Sequence, residues 1–174
     1  MRQVFDSDRI KLITTPEDKT RLEVVSIMNG NDTDIRTIFY ERYDRLDAAE
    51  FISKIELNDK ETIGFLNLIN ENLDKTLFLD IAILKEFCNQ SLAKRAIISL
   101  LDSDYSNKYL VADTSKENIS ANRCFSFFGE PFYETEDRAY YFLGGRTSYN
   151  DFINSKDYDK IKTRQKVKSL YDRR

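Results

Sequence analysis

Apolar and polar residues alternate over several short stretches of the chain, and this pattern predicts β-strands. Residues 9–14 alternate in this way, and so do residues 51–57. Two further apolar runs, at 62–69 and 76–84, follow after short polar turns. The run at 76–84 is apolar at nearly every position, which is typical of a central strand. We therefore predict one strand at 9–14 and then a three-stranded antiparallel meander.

Apolar residues at helical spacing predict helices before and after this meander. Two helices are predicted before it, at residues 16–29 and 34–45. After it, one amphipathic stripe is formed by Ala93, Ala96, Ile97, Leu100 and Leu101. A second stripe is formed by Ala121, Cys124, Phe125 and Phe128.

Strand patterns flank the last of these helices. A short apolar strand is predicted at 108–112 and another at 139–143. Asn118 stands at an N-cap position and Gly129 at a helix stop. Because a helix connects the strand at 76–84 to the strand at 108–112, these two strands are expected to be parallel. The fold class is therefore α/β (α+β), a mixed sheet with helices on both faces.

The composition favours an ordinary globular domain. The chain has 174 residues, of which 41% are hydrophobic and 33% charged, and its net charge is −3. This charge gives no reason to expect nucleic acid or a membrane as a partner. There is no apolar run of membrane-spanning length, and the two cysteines favour a reducing, cytoplasmic setting. Gly144-Gly145 is a natural hinge, so we predict a domain at 1–145 and a basic, helical extension at 146–174.

Histidine is absent from the sequence. This excludes serine or cysteine hydrolases that depend on histidine, and it excludes histidine-ligated zinc. No metal site is predicted. Any proton transfer must use another type of side chain, or water.

The junction between the strand at 76–84 and the next helix is a candidate phosphate site. A helix N-terminus presents unpaired backbone N–H groups and the positive end of the helix dipole. Lys94 and Arg95 would add positive charge there. Taken alone, the junction is equally compatible with an ordinary strand–loop–helix connection.

Two segments together resemble the GNAT family of N-acyltransferases. The segment from Asn118 to Gly129 resembles the family signature Asn-x-x-Ala-x-x-x-Tyr-x-x-x-Gly, with Phe125 where the family often has tyrosine. The junction resembles the coenzyme A loop, Gln/Arg-x-x-Gly-x-Gly/Ala before a helix. Its key positions fall on Cys88, Ser91 and Ala93. The resemblance covers about residues 9–143 and implies a mostly antiparallel sheet of about six to seven strands.

The resemblance implies acetyl-CoA as the cofactor and assigns residues to it. The backbone of Ile81 and Ile83 would pair with the pantetheine arm, and the Ile83 amide could polarise the thioester carbonyl. Asn118 would contact or orient the thiol end, in addition to capping its helix, and Phe125 belongs to the same set. The pyrophosphate would be cradled by the backbone amides of Asn89, Gln90, Ser91, Leu92, Ala93 and Lys94.

The implied reaction is acetyl transfer to a primary amine by direct attack in a ternary complex. The acceptor would be an amine-bearing small molecule, or a protein N-terminus or lysine. Asp80, the acid on the central strand, could act as the general base. The competing interpretation is a charge that faces solvent or pairs with a lysine.

The sequence does not identify the proton donor for the leaving thiolate. Phe125 has no hydroxyl, so Tyr133, Tyr140, Tyr141 or water could supply the proton. A second function is also open, namely a catalytically degenerate module that binds acyl-CoA or a protein partner without turnover.

The extension at 146–174 has an imperfect helical stripe and many basic residues interleaved with acids. The acids and the net charge argue against strong nucleic-acid binding. We expect a solvated helix that docks on its own domain or on a second subunit, so a homodimer is compatible with the sequence.

Overall fold

The structure is a computed structural model, which describes residues 3–7, 10–14, 49–57, 61–84, 87, 90–102, 107–144 and 146–172. The two helices predicted at 16–29 and 34–45 lie outside the described residues, as do Cys88 and Asn89.

The described residues form eight strands and four helices. The strands are β1 (Gln3–Ser7), β2 (Ile10–Thr14), β3 (Ala49–Leu57), β4 (Glu61–Ile69), β5 (Thr76–Ile83), β6 (Tyr109–Ser115), β7 (Tyr133–Glu134) and β8 (Arg138–Phe142). The helices are α1 (Leu92–Leu101), α2 (Ile119–Ser126), α3 (Arg146–Ile153) and α4 (Lys156–Asp172). The predicted fold class, a mixed and mostly antiparallel α/β fold, is confirmed.

The chain divides into two compact units, and β5 contributes residues to both. The first unit contains residues 1–70 and 79–106. Its strands follow the order β1-β2-β3-β4 with antiparallel pairing, and the Leu79–Ile83 part of β5 lies next to β4. Helix α1 packs against β1 and β2 and buries Leu92, Ala96 and Ile97.

A β-bulge interrupts the pairing of β3 with β4 in the first unit. Ile55 pairs with Gly64 and Glu56 pairs with Thr62, so Ile63 is an extra residue on β4. Such a bulge bends the strand and increases its local twist. The bend falls beside the end of β5, since Leu84 N donates a hydrogen bond to Ile63 O at 2.7 Å.

The second unit contains residues 71–78 and 107–174, with the strand order β5-β6-β8-β7. Thr76–Phe78 of β5 pairs in parallel with Tyr109–Val111 of β6, which confirms the predicted parallel pair. Neighbouring residues of a strand point to opposite faces of the sheet. Tyr141 contacts Phe125 of α2, whereas Tyr140 belongs to a core cluster with Phe152 of α3. Helices therefore cover both faces of the sheet in this unit.

An aromatic core fills the face of the second unit that α3 and α4 cover. Phe152 is fully buried, and its ring lies 4.9 Å from Phe142, 5.1 Å from Phe132 and 5.5 Å from Tyr158, centroid to centroid. Aromatic pairs at such distances add about 0.5–1.5 kcal/mol each to the free energy gained by burial. The domain boundary predicted at residue 145 stays a prediction, but the helix beyond it supplies the centre of this core.

Helix α4 also docks on the turn that precedes β5. Asp157 is only 2% exposed and accepts hydrogen bonds from Asp74 N at 3.0 Å, Lys75 N at 2.9 Å and Thr76 Oγ1 at 2.7 Å. Burial alone would raise the pKa of this carboxyl. The hydrogen bonds from Thr76, Lys75 and Asp74 and the charge of Lys160 outweigh burial, so the pKa of Asp157 lies below its ordinary value.

Further along α4, Arg164 donates a hydrogen bond to Glu71 O at 2.5 Å. The extension thus contacts its own chain at both ends of the turn between β4 and β5. Within the described residues, no helix combines the length and the apolar character needed to cross a membrane.

Candidate functional site

The end of β5 presents its backbone groups alternately to the two sides of the strand. Leu84 N donates to Ile63 O of β4, and the carbonyl of Ala82 points toward Gly64, which also lies on β4. Because the N–H and C=O directions alternate along a strand, those of Ile81 and Ile83 point to the other side. An extended ligand that paired with these two residues would need this orientation. Their contact with a cofactor stays a prediction.

Gly64 allows β4 and β5 to approach each other closely at this point. A Cβ on Gly64 would overlap the carbonyl oxygen of Ala82 and lie 3.0 Å from the Cα of Ile83. Both neighbours are backbone atoms of the adjacent strand, which cannot rotate away as a side chain would. A residue with a side chain at position 64 would therefore push β4 and β5 apart.

Ser91 adopts a glycine-like backbone conformation between β5 and α1. Its φ is 59° and its ψ is 20°, in the left-handed region that residues with a Cβ rarely adopt. This is the loop position at which the resemblance places glycine. The backbone is thus left-handed although the sequence has serine. This conformation lowers the stability of the fold by about 1 kcal/mol, which other interactions in the fold offset.

The N-terminus of α1 has features that suit an anion. The first intrahelical bond runs from Arg95 N to Ser91 O at 3.2 Å, so the amides of Leu92 and Ala93 precede the helical ladder. The side chain of Ser91 makes no capping hydrogen bond, and the first turn has no acidic residue. Gln90 is exposed and Lys94 is half-buried in the same segment. Binding of a phosphate here stays a prediction.

Asp80 lies on β5 just before this edge. Only 3% of the residue is exposed, so the interpretation that it faces solvent is wrong. By strand alternation it shares a face with Phe78 and Ala82, both of which are buried. Its role as a general base stays a prediction.

Helix α2 in the second unit begins with the predicted cap. Asn118 Oδ1 accepts a hydrogen bond from Ala121 N at 3.1 Å, which confirms the capping role of Asn118. Gly129, with a φ of 147°, follows the end of the helix and donates from its N to Ser126 O at 3.2 Å. Contact of Asn118 with the cofactor stays a prediction.

Phe125 packs in the core instead of presenting an open side chain. It is 5% exposed, and its ring centroid lies 5.7 Å from that of Tyr141 on β8. Its assignment to the cofactor site also stays a prediction.

Asn122 is a polar residue that the sequence reasoning missed. Its Nδ2 donates to Ser115 O at 2.9 Å and to Asn118 O at 2.8 Å, and its Oδ1 accepts from the Tyr141 hydroxyl at 2.8 Å. Asparagine inside a helix is a weak signal for such a role, because it is a poor helix former that bonds to nearby backbone groups.

The three candidate tyrosines differ in the face they occupy. Tyr141 lies on the face that α2 covers. Tyr140 lies on the face of the aromatic core, and the ring of Tyr133 contacts that of Tyr140 at 5.8 Å. The hydroxyl of Tyr141 donates to Asn122, and burial together with the nearby charge of Glu134 raises the pKa of Tyr141. This phenol is therefore a hydrogen-bond donor within the fold.

Solved structures of GNAT acetyltransferases share this fold. RimL, a ribosomal L7/L12 alpha-N-protein acetyltransferase, is 12% identical with a TM-score of 0.63, covering 82% of this chain and 94% of that one. A GNAT-family acetyltransferase from Bacillus anthracis is 13% identical with a TM-score of 0.65, covering 81% and 98%. MccE, a microcin C7 self-immunity acetyltransferase solved with acetyl-CoA and AMP, is 16% identical with a TM-score of 0.51, covering 78% and 92%.

No protein-family model matches the sequence, and no curated protein matches it. The likeness is therefore one of structure, and it confirms the predicted GNAT fold.

Proposed function

We propose that this protein is an acyl-CoA-dependent N-acyltransferase that transfers acetyl from acetyl-CoA to a primary amine. The observation that carries the proposal is the left-handed conformation of Ser91 in the loop before α1. Serine adopts here the backbone conformation that glycine favours, at the loop position where the resemblance places glycine. The strain is explained if the loop must turn its amides toward a ligand.

The loop and the start of α1 would bind the pyrophosphate of the cofactor. The amides of Leu92 and Ala93 precede the helical ladder, and the small side chain of Ala93 leaves room for a phosphate to approach the backbone. Gln90, Lys94 and, outside the described residues, Asn89 complete the set. A CoA site fits these residues, since they combine backbone donors with positive charge and have no acid in the first turn.

The edge of β5 would bind the pantetheine arm. The backbone groups of Ile81 and Ile83 point away from β4, as an added strand requires. The arm has amide groups that can pair with a strand in this way. The close fit of Gly64 against Ala82 and Ile83 would hold this edge in place.

The reaction would proceed by direct attack. The amine nitrogen forms a bond with the thioester carbonyl carbon, the carbon–sulfur bond breaks, and the amine proton passes to Asp80 directly or through water. Phe125 has no hydroxyl and the Tyr141 hydroxyl is bonded to Asn122. The proton held by Asp80 would therefore pass through water to the leaving thiolate, which gives the free thiol and restores the Asp80 carboxylate. The acceptor is a primary amine on a small molecule, a protein N-terminus or a lysine.

A second candidate is a non-catalytic module that binds acyl-CoA or a protein partner. Phe125 favours it, because the position that often has tyrosine in the family is filled here by a buried phenylalanine. The two candidates share the cofactor loop and differ in turnover.

The first test is titration of acetyl-CoA by calorimetry, followed by measurement of thiol release with a panel of amines. Binding with thiol release supports the enzyme, and binding without release supports the module. Absence of binding at millimolar acetyl-CoA would overturn both acyl-CoA proposals.

A matched pair of variants checks that binding uses the loop. Gln90→Glu adds a negative charge to an exposed loop residue without changing its shape, and it should weaken acetyl-CoA binding about fivefold. Asn150→Asp adds the same charge to an exposed residue of α3 and should leave the affinity unchanged. Equal affinities for the two variants would place the cofactor elsewhere.

A further inference from the structure

We propose that Asn122 and Tyr141 act together as positioning residues for Asn118, the residue assigned to the thiol end of the cofactor. This inference rests on the proposed function and deepens it. Its basis is the set of hydrogen bonds that joins β8, the end of β6 and the first turn of α2 through a single amide side chain.

The orientation of the Asn122 amide is determined by its partners. The two carbonyl oxygens that it contacts, from Ser115 and Asn118, can only accept hydrogen bonds, so the nitrogen must face them. The oxygen then faces Tyr141, whose hydroxyl is the donor at 2.8 Å. A reversed amide would place an oxygen against two carbonyl oxygens.

This arrangement constrains the backbone around Asn118 from several directions. Ser115 O accepts from both Asn122 Nδ2 and Asn118 N, the latter at 3.0 Å. Asn118 O accepts from both the backbone and the side chain of Asn122, at 3.0 and 2.8 Å. Asn118 Oδ1 is held by Ala121 N. The carbonyl, the amide nitrogen and the side-chain oxygen of Asn118 are therefore all fixed.

Tyr141 stabilises this arrangement from the neighbouring strand. The residue is 4% exposed, and its ring contacts Phe125 on the same helix. Its hydroxyl stays protonated at neutral pH and remains a donor to Asn122. Deleting the hydroxyl would leave the Asn122 oxygen without this buried donor and loosen the orientation of the amide.

The test compares two ligands of different reach. Acetyl-CoA includes the thiol end, whereas adenosine 3′,5′-bisphosphate has the nucleotide part without the pantetheine arm. Tyr141→Phe keeps the ring and should weaken acetyl-CoA binding about fivefold, with no change for adenosine 3′,5′-bisphosphate. Asn122→Ala should show the same selectivity with an effect at least as large, and it serves as the second variant if Tyr141→Phe folds poorly.

Tyr140→Phe is the matched control, because it deletes the same group from the adjacent buried residue on the opposite face. It should leave the ratio of the two dissociation constants unchanged. A purely structural role for Tyr141 would lower stability and leave that ratio unchanged, which would overturn the inference and leave the proposed function standing. If the wild-type protein bound neither ligand, the proposed function would fail and this inference with it.

Discussion

The two ends of β5 are held in different ways. The start of the strand, in the second unit, lies in a parallel ladder with β6 and follows a turn whose backbone amides donate to the buried carboxylate of Asp157. The other end, in the first unit, is fixed by the close fit of Gly64 and leads into a loop with the strained residue Ser91. One end is closed by internal hydrogen bonds, and the other leads to the loop that we propose as the cofactor site.

We interpret this as a difference in role between the two ends of β5: the start stabilises the fold, and the other end would bind the cofactor. A cofactor edge must stay in place while its own polar groups are used by the ligand. The close fit of Gly64 lies on the β4 side of β5, whereas the backbone groups of Ile81 and Ile83 point away from β4. We expect substitutions at the two ends to affect stability and ligand binding in different proportions.

Gly64→Ala should have the largest effect. The added Cβ overlaps the Ala82 carbonyl, so the variant should lose about 3 kcal/mol in free energy of unfolding and bind acetyl-CoA more weakly. Gly129→Ala is the matched control, since no atom lies within 4 Å of its Cβ and only the positive φ of 147° is unfavourable. It should lose about 1 kcal/mol. Urea denaturation measures both, and equal losses would show that β4 and β5 do not approach closely.

Asp157→Asn should have the second-largest effect on stability, and it acts at the start of β5. Loss of a buried carboxylate with three hydrogen bonds should cost about 2–3 kcal/mol in free energy of unfolding near neutral pH. Asp159→Asn removes the same charge from an exposed residue in the same first turn of α4 and should cost less than about 0.5 kcal/mol.

The contribution of Asp157 to the free energy of unfolding should decrease at low pH. Because its pKa is lowered in the folded protein, its contribution is fully present above the ordinary aspartate pKa and is lost as the pH falls through the lowered value. The stability difference between wild type and Asp157→Asn should therefore be constant from neutral pH to about pH 5 and narrow below about pH 4. A difference that persisted at low pH would show that packing, and not the charge, is responsible.

The comparison also shows which features the sequence could predict. The run at 76–84 became β5, and Asn118 capped α2, because both depend on residues close in sequence. Strand β1 was not predicted, since Gln3–Ser7 has little alternation and pairs with β2 through its backbone.

The contacts of Asp157 and Asn122 were also missed, for a related reason. Asp157 bonds to residues more than eighty positions away, and Tyr141 lies nineteen positions from Asn122. No local pattern marks such pairs, and Asp157 looked like one of several acids in a basic tail. The position of Ser91 could be predicted by aligning the loop, but its left-handed backbone could not, because serine gives no signal for it.

Ser91→Gly should change the free energy of unfolding least, but the sign of that change tests whether the backbone of Ser91 is left-handed. Glycine adopts a φ of 59° without strain, so the variant should gain about 0.5 kcal/mol in free energy of unfolding even though glycine is more flexible in the unfolded chain. Ser120→Gly makes the same change at an exposed position in the first turn of α2 and should lose about 0.5–1 kcal/mol. Opposite signs of the stability change in parallel denaturation curves would establish that the backbone at Ser91 is strained and that the first turn of α2 is not. If Ser91→Gly lost stability as Ser120→Gly does, Ser91 would not be left-handed, and the observation that carries the proposed acetyl-CoA site would be removed.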